Sequence, residues 1–213
     1  MSENITHLSP YYTNIMPNGA LIYSINICKY FIPNIKTNRT WVTINTQQCK
    51  DNAIVFIHSN VNLDYNYEYL KNYKNLILVC SQKSTMYKMR KYGRAIYLPL
   101  SIDVEYTRSF NEHKKDKDSC YAGRKNKIYS DNLRNYDNID FLCNLSHESL
   151  LRHMSHYKNV YAVGLTAIEA KLFGCKILPY DNRYPDTRVW QIHDCKDMIP
   201  VLQAKLDKID KIK

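Results

Sequence analysis

Glu169 lies in a segment whose residue types suit the binding of a nucleotide. Residues 159–180 read NVYAVGLTAIEAKLFGCKILPY, a pattern that predicts a strand at 160–163, a turn at Gly164 and a helix over 166–173. Such a turn aims free backbone N–H groups, and the positive end of the helix dipole, at one point that suits a phosphate. A carboxylate in the first turn of the same helix can accept hydrogen bonds from ribose hydroxyls.

The same residues have a purely structural interpretation. Thr166 and Glu169 are spaced as in a capping box, where the threonine caps the helix and the glutamate returns to the backbone N–H of the cap. Spacing alone favours this capping box, and it leaves the ribose contact of Glu169 as the alternative.

The elements that must position these residues alternate between strands and helices. Most of the apolar runs lack the two-residue alternation of half-buried strands, which indicates parallel sheets in an α/β fold. We therefore predict two small Rossmann-like halves that face each other across a cleft, with the boundary in the charged run NEHKKDKD between residues 112 and 113. The predicted strands are 41–45, 53–58, 75–81, 95–98, 119–122, 138–143, 160–163 and 175–178, and the main helices are 64–73, 81–92, 146–156, 166–173 and 196–209.

His58 ends the apolar run AIVFIH, which is typical of a buried parallel strand. Ligands of open α/β sheets bind beyond the carboxyl ends of the strands, so this histidine is a candidate site residue. A histidine that is only hydrogen-bonded at a strand end remains the alternative.

Residues 164–178, GLTAIEAKLFGCKIL, resemble the signature of the GT-B glycosyltransferases of the retaining "group 1" type, which are similar to glycosyltransferase family 4. In that signature, two glutamates separated by seven residues flank a Gly-Leu turn. The second glutamate corresponds to Glu169, which the resemblance assigns to the nucleotide ribose. Tyr161 stands where the first would be and is a possible contact of the donor sugar. The resemblance extends over roughly residues 75–180.

The resemblance also assigns roles to basic residues and to His58. After the predicted strand 119–122, the run GRKNK matches the family's Gly-Arg turn, whose cations neutralise the diphosphate. His58 would approach the donor sugar as the catalytic residue. Residues 1–112 would form the acceptor side and residues 113–213 the donor side. The implied donor-binding residues are Arg124, Lys127, Gly164, Leu165, Thr166 and Glu169.

The formal net charge of +10 implies a positive field that attracts nucleotide phosphates or nucleic acid. The predicted helix 81–92 is especially basic, which would suit a phosphorylated or nucleic-acid acceptor; a solvated helix face is the commoner explanation. Its basic residues and those just after it are Lys83, Lys88, Arg90, Lys91 and Arg94.

Metal sites, disulfides and membrane spans are not expected. The seven cysteines are widely spaced, with no Cys-x-x-Cys pair, and predict reduced, buried thiols. Asp116 and Asp118 form an Asp-x-Asp pair, but in a charged linker it does not predict a metal site. With no signal peptide and no apolar run near 18 residues, we expect a soluble cytoplasmic protein. The 19 tyrosines fit an AT-rich genome such as that of a bacteriophage. For a bacteriophage protein, the expected location is the cytoplasm of the host cell.

The function that these features favour is transfer of a sugar from a nucleotide-sugar, without a metal or other cofactor because lysine and arginine neutralise the leaving group. The acceptor is open and includes modified DNA and glycans. One alternative is a catalytically degenerate relative that binds a nucleotide, nucleic acid or a partner. A glycosyl phosphorylase or a nucleotide-sugar epimerase is another.

Overall fold

The computed structural model describes residues 19–43, 49–58, 62–112, 114–122, 133 and 138–211. Contacts divide the chain into two compact units. The first contains Ala20–Leu100 together with the segment that starts at Cys195, and the second contains Ser101–Asp194.

The first unit is built on a parallel sheet of four strands in the order β1-β2-β3-β4. The two central strands are buried along their whole length, as their continuous apolar runs predict. The strands are β1 (Thr40–Val42), β2 (Ala53–Ile57), β3 (Ile77–Cys80) and β4 (Arg94–Tyr97), and the helices are α1 (Gly19–Asn26, continued by a π-helical turn at Ile27–Phe31), α2 (Leu63–Tyr67, continued by a 3-10 turn at Glu68–Asn72), α3 (Lys83–Met89) and α7 (Cys195–Asp210).

The second unit contains another parallel sheet of four strands, in the order β6-β5-β7-β8. Its central strands β5 and β7 pair in register, with Cys120 opposite Val160. The strands are β5 (Lys117–Tyr121), β6 (Ile139–Phe141), β7 (Tyr157–Tyr161) and β8 (Lys176–Leu178), and the α-helices are α4 (Val104–Arg108), α5 (His147–Ser155) and α6 (Leu165–Leu172).

The predicted fold class is confirmed: the protein is α/β, with two four-stranded parallel sheets that are consistent with two small Rossmann-like halves. The compact units group residues differently from the expected halves, because residues 101–112 belong to the second unit and helix α7 belongs to the first. The assignment of an acceptor side and a donor side stays a prediction.

Helix α7 is fastened to the first unit by a buried arginine. The Arg39 side chain is fully buried, and its guanidinium donates to the carbonyl of Asn75 at 2.9 Å and to Oδ1 of Asp210 at 2.8 Å. Two turns of helix earlier along the chain, Gln203 of α7 exchanges two hydrogen bonds with the backbone of Lys36. Residues near both ends of the described chain therefore share one unit.

All seven cysteines are free thiols, and five of them are buried. The expectation of buried thiols is confirmed at these five positions, and their reduced state stays a prediction. No helix among the described residues is long and apolar enough to cross a membrane.

Candidate functional site

The turn between β7 and α6 presents backbone N–H groups in the way that the sequence predicts. Gly164 is the N-cap of α6, with φ 68° and ψ −138°, and the N–H of Ile168 donates to its carbonyl at 3.2 Å. The N–H groups of Leu165, Thr166 and Ala167 precede this bond and so have no acceptor within the helix. They form the positive end of the helix dipole.

The capping-box interpretation of Thr166 is wrong. The helix begins at Leu165 and its N-cap is Gly164, so Thr166 is the second helical residue and cannot cap. The physical reason is the backbone conformation at Gly164, which glycine adopts far more readily than residues with a Cβ atom and which starts the helix earlier. Glu169 consequently contacts a side chain from another helix.

The carboxylate of Glu169 is bound by His147. Glu169 is buried, with 2% of its surface exposed, and its Oε1 accepts a hydrogen bond at 2.8 Å from Nε2 of His147. His147 is the first residue of α5, whose N-cap Ser146 accepts from the N–H of Ser149 at 3.2 Å, as the sequence predicts. The start of α5 thus fixes the carboxylate on α6.

Tyr106 of α4 completes a group that we call the Glu169 cluster: Tyr106, His147, Glu148 and Glu169. The Tyr106 ring lies 6.3 Å from that of His147, and its hydroxyl donates to Oε1 of Glu148 at 3.3 Å. Burial raises the pKa of Tyr106, and the carboxylates of Glu148, Asp103 and Glu169 raise it further. These carboxylates make the cluster negative, which suits sugar hydroxyls as donors and repels a phosphate that has no cation beside it.

Tyr161 is the last residue of β7, opposite Tyr121 of β5 and Leu178 of β8. Its carbonyl accepts from the N–H of Ala122 at 3.0 Å, and the residue is half-buried. A phenol offers one hydroxyl where a carboxylate offers two acceptor oxygens, so Tyr161 cannot reproduce all the contacts of a glutamate. Its contact with a donor sugar stays a prediction.

His58 follows β2 in the first unit, at the carboxyl end of the strand. Its Nε2–H donates to the carbonyl of Thr43, and the Tyr23 ring lies edge-on at 5.5 Å. Burial lowers the pKa of His58 to about 4, while the hydrogen bond to Thr43 acts in the opposite direction. The imidazole is therefore neutral at pH 7 and a weak base. The sequence leaves a hydrogen bond of His58 at the strand end as the alternative, and this hydrogen bond is present. A catalytic role of His58 beside the donor sugar stays a prediction.

Arg124 and Lys127 lie outside the described residues, so their contact with a diphosphate stays a prediction. The Asp-x-Asp pair has other partners. Asp116 contacts Nζ of Lys114 at 2.9 Å and Nδ1 of His156 at 3.1 Å, and these hydrogen bonds lower its pKa to about 2. Asp118 binds Lys158 at 2.9 Å. Within the described part of the chain, no group of three His, Cys, Asp or Glu residues is arranged to hold a metal ion.

Two members of the Glu169 cluster, His147 and Tyr106, are not indicated by the spacing of residues in the sequence. His147 precedes Glu169 by 22 residues, and no helical or strand spacing links residues so far apart. Tyr106 lies on a helix of five residues, too short to show a period. The available signal was that Ser146 and Gly164 start consecutive helices of one parallel sheet, so both helices begin near the carboxyl edge of its strands.

Comparison with known proteins does not assign the chain to a family. No model of a known protein family matches the chain. Neither the curated proteins nor the solved structures include a significant match.

Proposed function

We propose that the protein is a glycosyltransferase that moves a sugar from a nucleotide-sugar to an acceptor. The observation that carries this proposal is the position of Glu169, a buried carboxylate held by His147 at 2.8 Å on the helix that begins at the Gly164 turn. One short helix then carries both a carboxylate that accepts hydrogen bonds and backbone N–H groups that donate them. A nucleoside diphosphate needs both, the first for its ribose and the second for its phosphates.

The ribose would bind to the second oxygen of Glu169. Oε1 accepts from His147, and Oε2 is then the oxygen for a ribose hydroxyl. Because the carboxylate is fixed by a neighbouring side chain, little rotamer entropy remains to be lost when the ribose binds. The exposed fraction of the side chain is only 3%, so the contact requires a close fit at the surface of the cluster.

The diphosphate would bind to the turn and to cations supplied by the sequence around it. The free N–H groups of Leu165, Thr166 and Ala167 are the backbone donors. Negative charge develops on the diphosphate as the sugar leaves, and Arg124 and Lys127 are the groups that would stabilise that charge. The carboxylates of the cluster make such cations necessary, because without them the site would repel phosphate.

A binding protein without transferase activity is the second candidate, and Tyr161 favours it. In the resembling family a glutamate stands at this position, and a phenol offers fewer acceptors to a sugar. The pKa of His58, lowered to about 4, points the same way, because a weak base is a poor proton acceptor at neutral pH. This candidate would bind the nucleotide and release no sugar.

A thermal-shift screen against UDP, GDP, ADP, dTDP, CMP and their sugar conjugates tests the proposal. A ligand in excess stabilises the folded protein by mass action, so a rise in melting temperature confined to one base names the donor. Glu169→Gln should reduce the rise, and Glu68→Gln, the same change at an exposed glutamate of the first unit, should retain it. No rise with any nucleotide would overturn both candidates.

Release of nucleoside diphosphate from the identified donor then separates the two candidates. A glycosyltransferase transfers the sugar to an added acceptor or to water, whereas a binding protein returns the conjugate intact. If the conjugate is returned intact, Tyr161→Glu asks whether the missing carboxylate is the reason.

A further inference from the structure

Helix α3 and the turn after it carry an unusual concentration of positive charge. Residues 69–102 contain seven lysines and arginines and no aspartate or glutamate. The side chains that face solvent here form what we call the α3 basic face: Lys83, Tyr87, Lys88, Arg90 and Lys91, all exposed. Thr85 and Met89 occupy the opposite, buried side of the helix. The charge is therefore presented on one continuous surface.

Most of this charge is not neutralised locally. Lys91 pairs with Asp64. Among the described residues, no acidic side chain lies within ion-pair distance of Lys83, Lys88 or Arg90. Three cations of one short helix and its cap thus remain available to an anionic partner.

An exposed aromatic ring lies among these cations. Tyr87 is 60% exposed, and the guanidinium of Arg90 lies 4.7 Å from the centre of its ring. Asp64 accepts a hydrogen bond from Tyr92 at 2.7 Å, which brings helix α2 to the end of the face. The residue after Asp64 is Tyr65, which is 90% exposed. An aromatic ring beside cations is the combination on which unpaired bases stack while their phosphates are neutralised.

The exposed residues favour single-stranded nucleic acid over other polyanions. A lipid surface would call for apolar side chains that insert into the bilayer, but Tyr87 is the only large hydrophobic residue exposed in the described stretch 83–94. A duplex keeps its bases stacked and would leave the Tyr87 ring without a partner. We propose that the α3 basic face binds single-stranded nucleic acid, with phosphates on Lys83, Lys88 and Arg90 and a base stacked on Tyr87.

This proposal does not rest on the proposed function, because α3 and the Glu169 cluster belong to different units and the test uses no nucleotide-sugar. Fluorescence anisotropy would measure binding of labelled oligothymidylate and oligouridylate, with a labelled duplex, phosphatidylserine vesicles and heparin as the competing chemistries. We expect both single strands to bind more tightly than the duplex and to compete better than vesicles or heparin. Absence of binding, or a preference for any of those three, would overturn the proposal.

The stacking contact has its own matched variants. Tyr87→Ala should weaken binding of the single strand between about fivefold and a hundredfold, and Tyr87→Phe, which retains the ring, should bind like the unmodified protein. Because Tyr87 is 60% exposed, neither change should alter the melting temperature appreciably. If the alanine and phenylalanine variants bound with equal affinity, no base would stack on Tyr87. That result would refute the proposal.

The phosphate contacts are tested by salt. Lys83→Ala and Lys88→Ala should each reduce the slope of log affinity against log salt concentration by about 0.7. Lys176→Ala, the same change at an exposed lysine of β8 in the second unit, should leave the slope unchanged. If Lys176→Ala reduced the slope as much as Lys88→Ala, attraction by net charge alone would explain the binding. That result would refute a site on α3.

Discussion

Nε2 of His147 lies 2.8 Å from Oε1 of Glu169, and this hydrogen bond joins the first residue of α5 to the middle of α6. Both side chains are largely withdrawn from water, with 16% and 3% exposed. The hydrogen bond between them therefore replaces hydrogen bonds to water that both side chains lose on burial. Their dependence on each other is measurable without any ligand.

A double-mutant cycle on this pair should show coupling. We expect His147→Ala and Glu169→Ala each to lower the free energy of unfolding by about 1–3 kcal/mol, because each leaves a buried partner without its hydrogen bond. The double variant should lose less than the sum of the two. Urea unfolding measures all four proteins. Glu148→Ala, at an exposed position, should change the value by about 0.5 kcal/mol or less. Additive losses at His147 and Glu169 would contradict the coupling.

His58 should make the protein less stable in acid. Burial lowers its pKa to about 4 in the folded state, whereas an unfolded histidine titrates near about 6.5. The unfolded chain thus binds the proton more readily, so this contribution to stability is complete above pH about 6.5 and falls as the pH decreases toward 4. The expected loss is about 3 kcal/mol. Urea unfolding at several pH values, compared with His58→Asn to subtract all other groups, measures it; identical pH profiles would rule it out.

Gly164→Ala should destabilise the protein although its new methyl group meets no atom. The Cβ position at Gly164 has nothing within 4 Å, but φ is +68°, a conformation that is strained for alanine. We expect the free energy of unfolding to fall by about 1–3 kcal/mol. Gly19→Ala is the matched control, since its Cβ also meets open space and its φ is not positive. A thermal or urea unfolding curve measures both, and equal effects would show that backbone strain is not the cause.

Asp210→Ala should loosen helix α7 from the first unit. It leaves the fully buried guanidinium of Arg39 without its counter-charge. The loss should be about 1–3 kcal/mol, less than for a wholly buried pair because Asp210 is 41% exposed. Asp207→Ala on the same helix removes only an exposed hydrogen bond with Gln203 and should have little effect. Hydrogen exchange of the α7 amides should quicken in the first variant and not in the second.

The strands were predictable because parallel strands are buried on both faces. The run 53–58 predicts β2, which extends over Ala53–Ile57, and the run 75–81 predicts β3 at Ile77–Cys80. Helix α4 was not predictable from periodicity. It has five residues and is set by Asp103, whose carboxylate accepts from the N–H of Tyr106 at 3.0 Å.

The buried face of α1 does not follow from the spacing of its aliphatic residues. Leu21, Ile25, Cys28 and Ile32 recur at helical spacing, but Ile25 is 42% exposed. Tyr23 and Phe31 are buried instead, with their rings 6.0 and 6.4 Å from that of Phe56. The π-helical turn at Ile27–Phe31 shifts the helical phase, and large aromatic rings bury more area than the aliphatic side chains they replace in the core.

The candidate site was half predictable for a related reason. Gly164 and Glu169 are neighbours in the chain, so local spacing reveals them. His147 reaches Glu169 only through the packing of α5 against α6, and Tyr106 joins them from a third helix. Contacts of this kind depend on tertiary structure, which a single sequence does not display.

The attachment of α7 by Arg39 and Asp210 also orders events during synthesis on the ribosome. Nearly all of the second unit is one continuous stretch, Ser101–Asp194, and its sheet can close as soon as that stretch has emerged. The first unit begins earlier but must wait for residues near 210, because until then the Arg39 guanidinium has no carboxylate to bind. The part of the protein that is translated first is therefore completed last, and a nascent chain stalled before α7 would present a finished second unit beside an open first sheet.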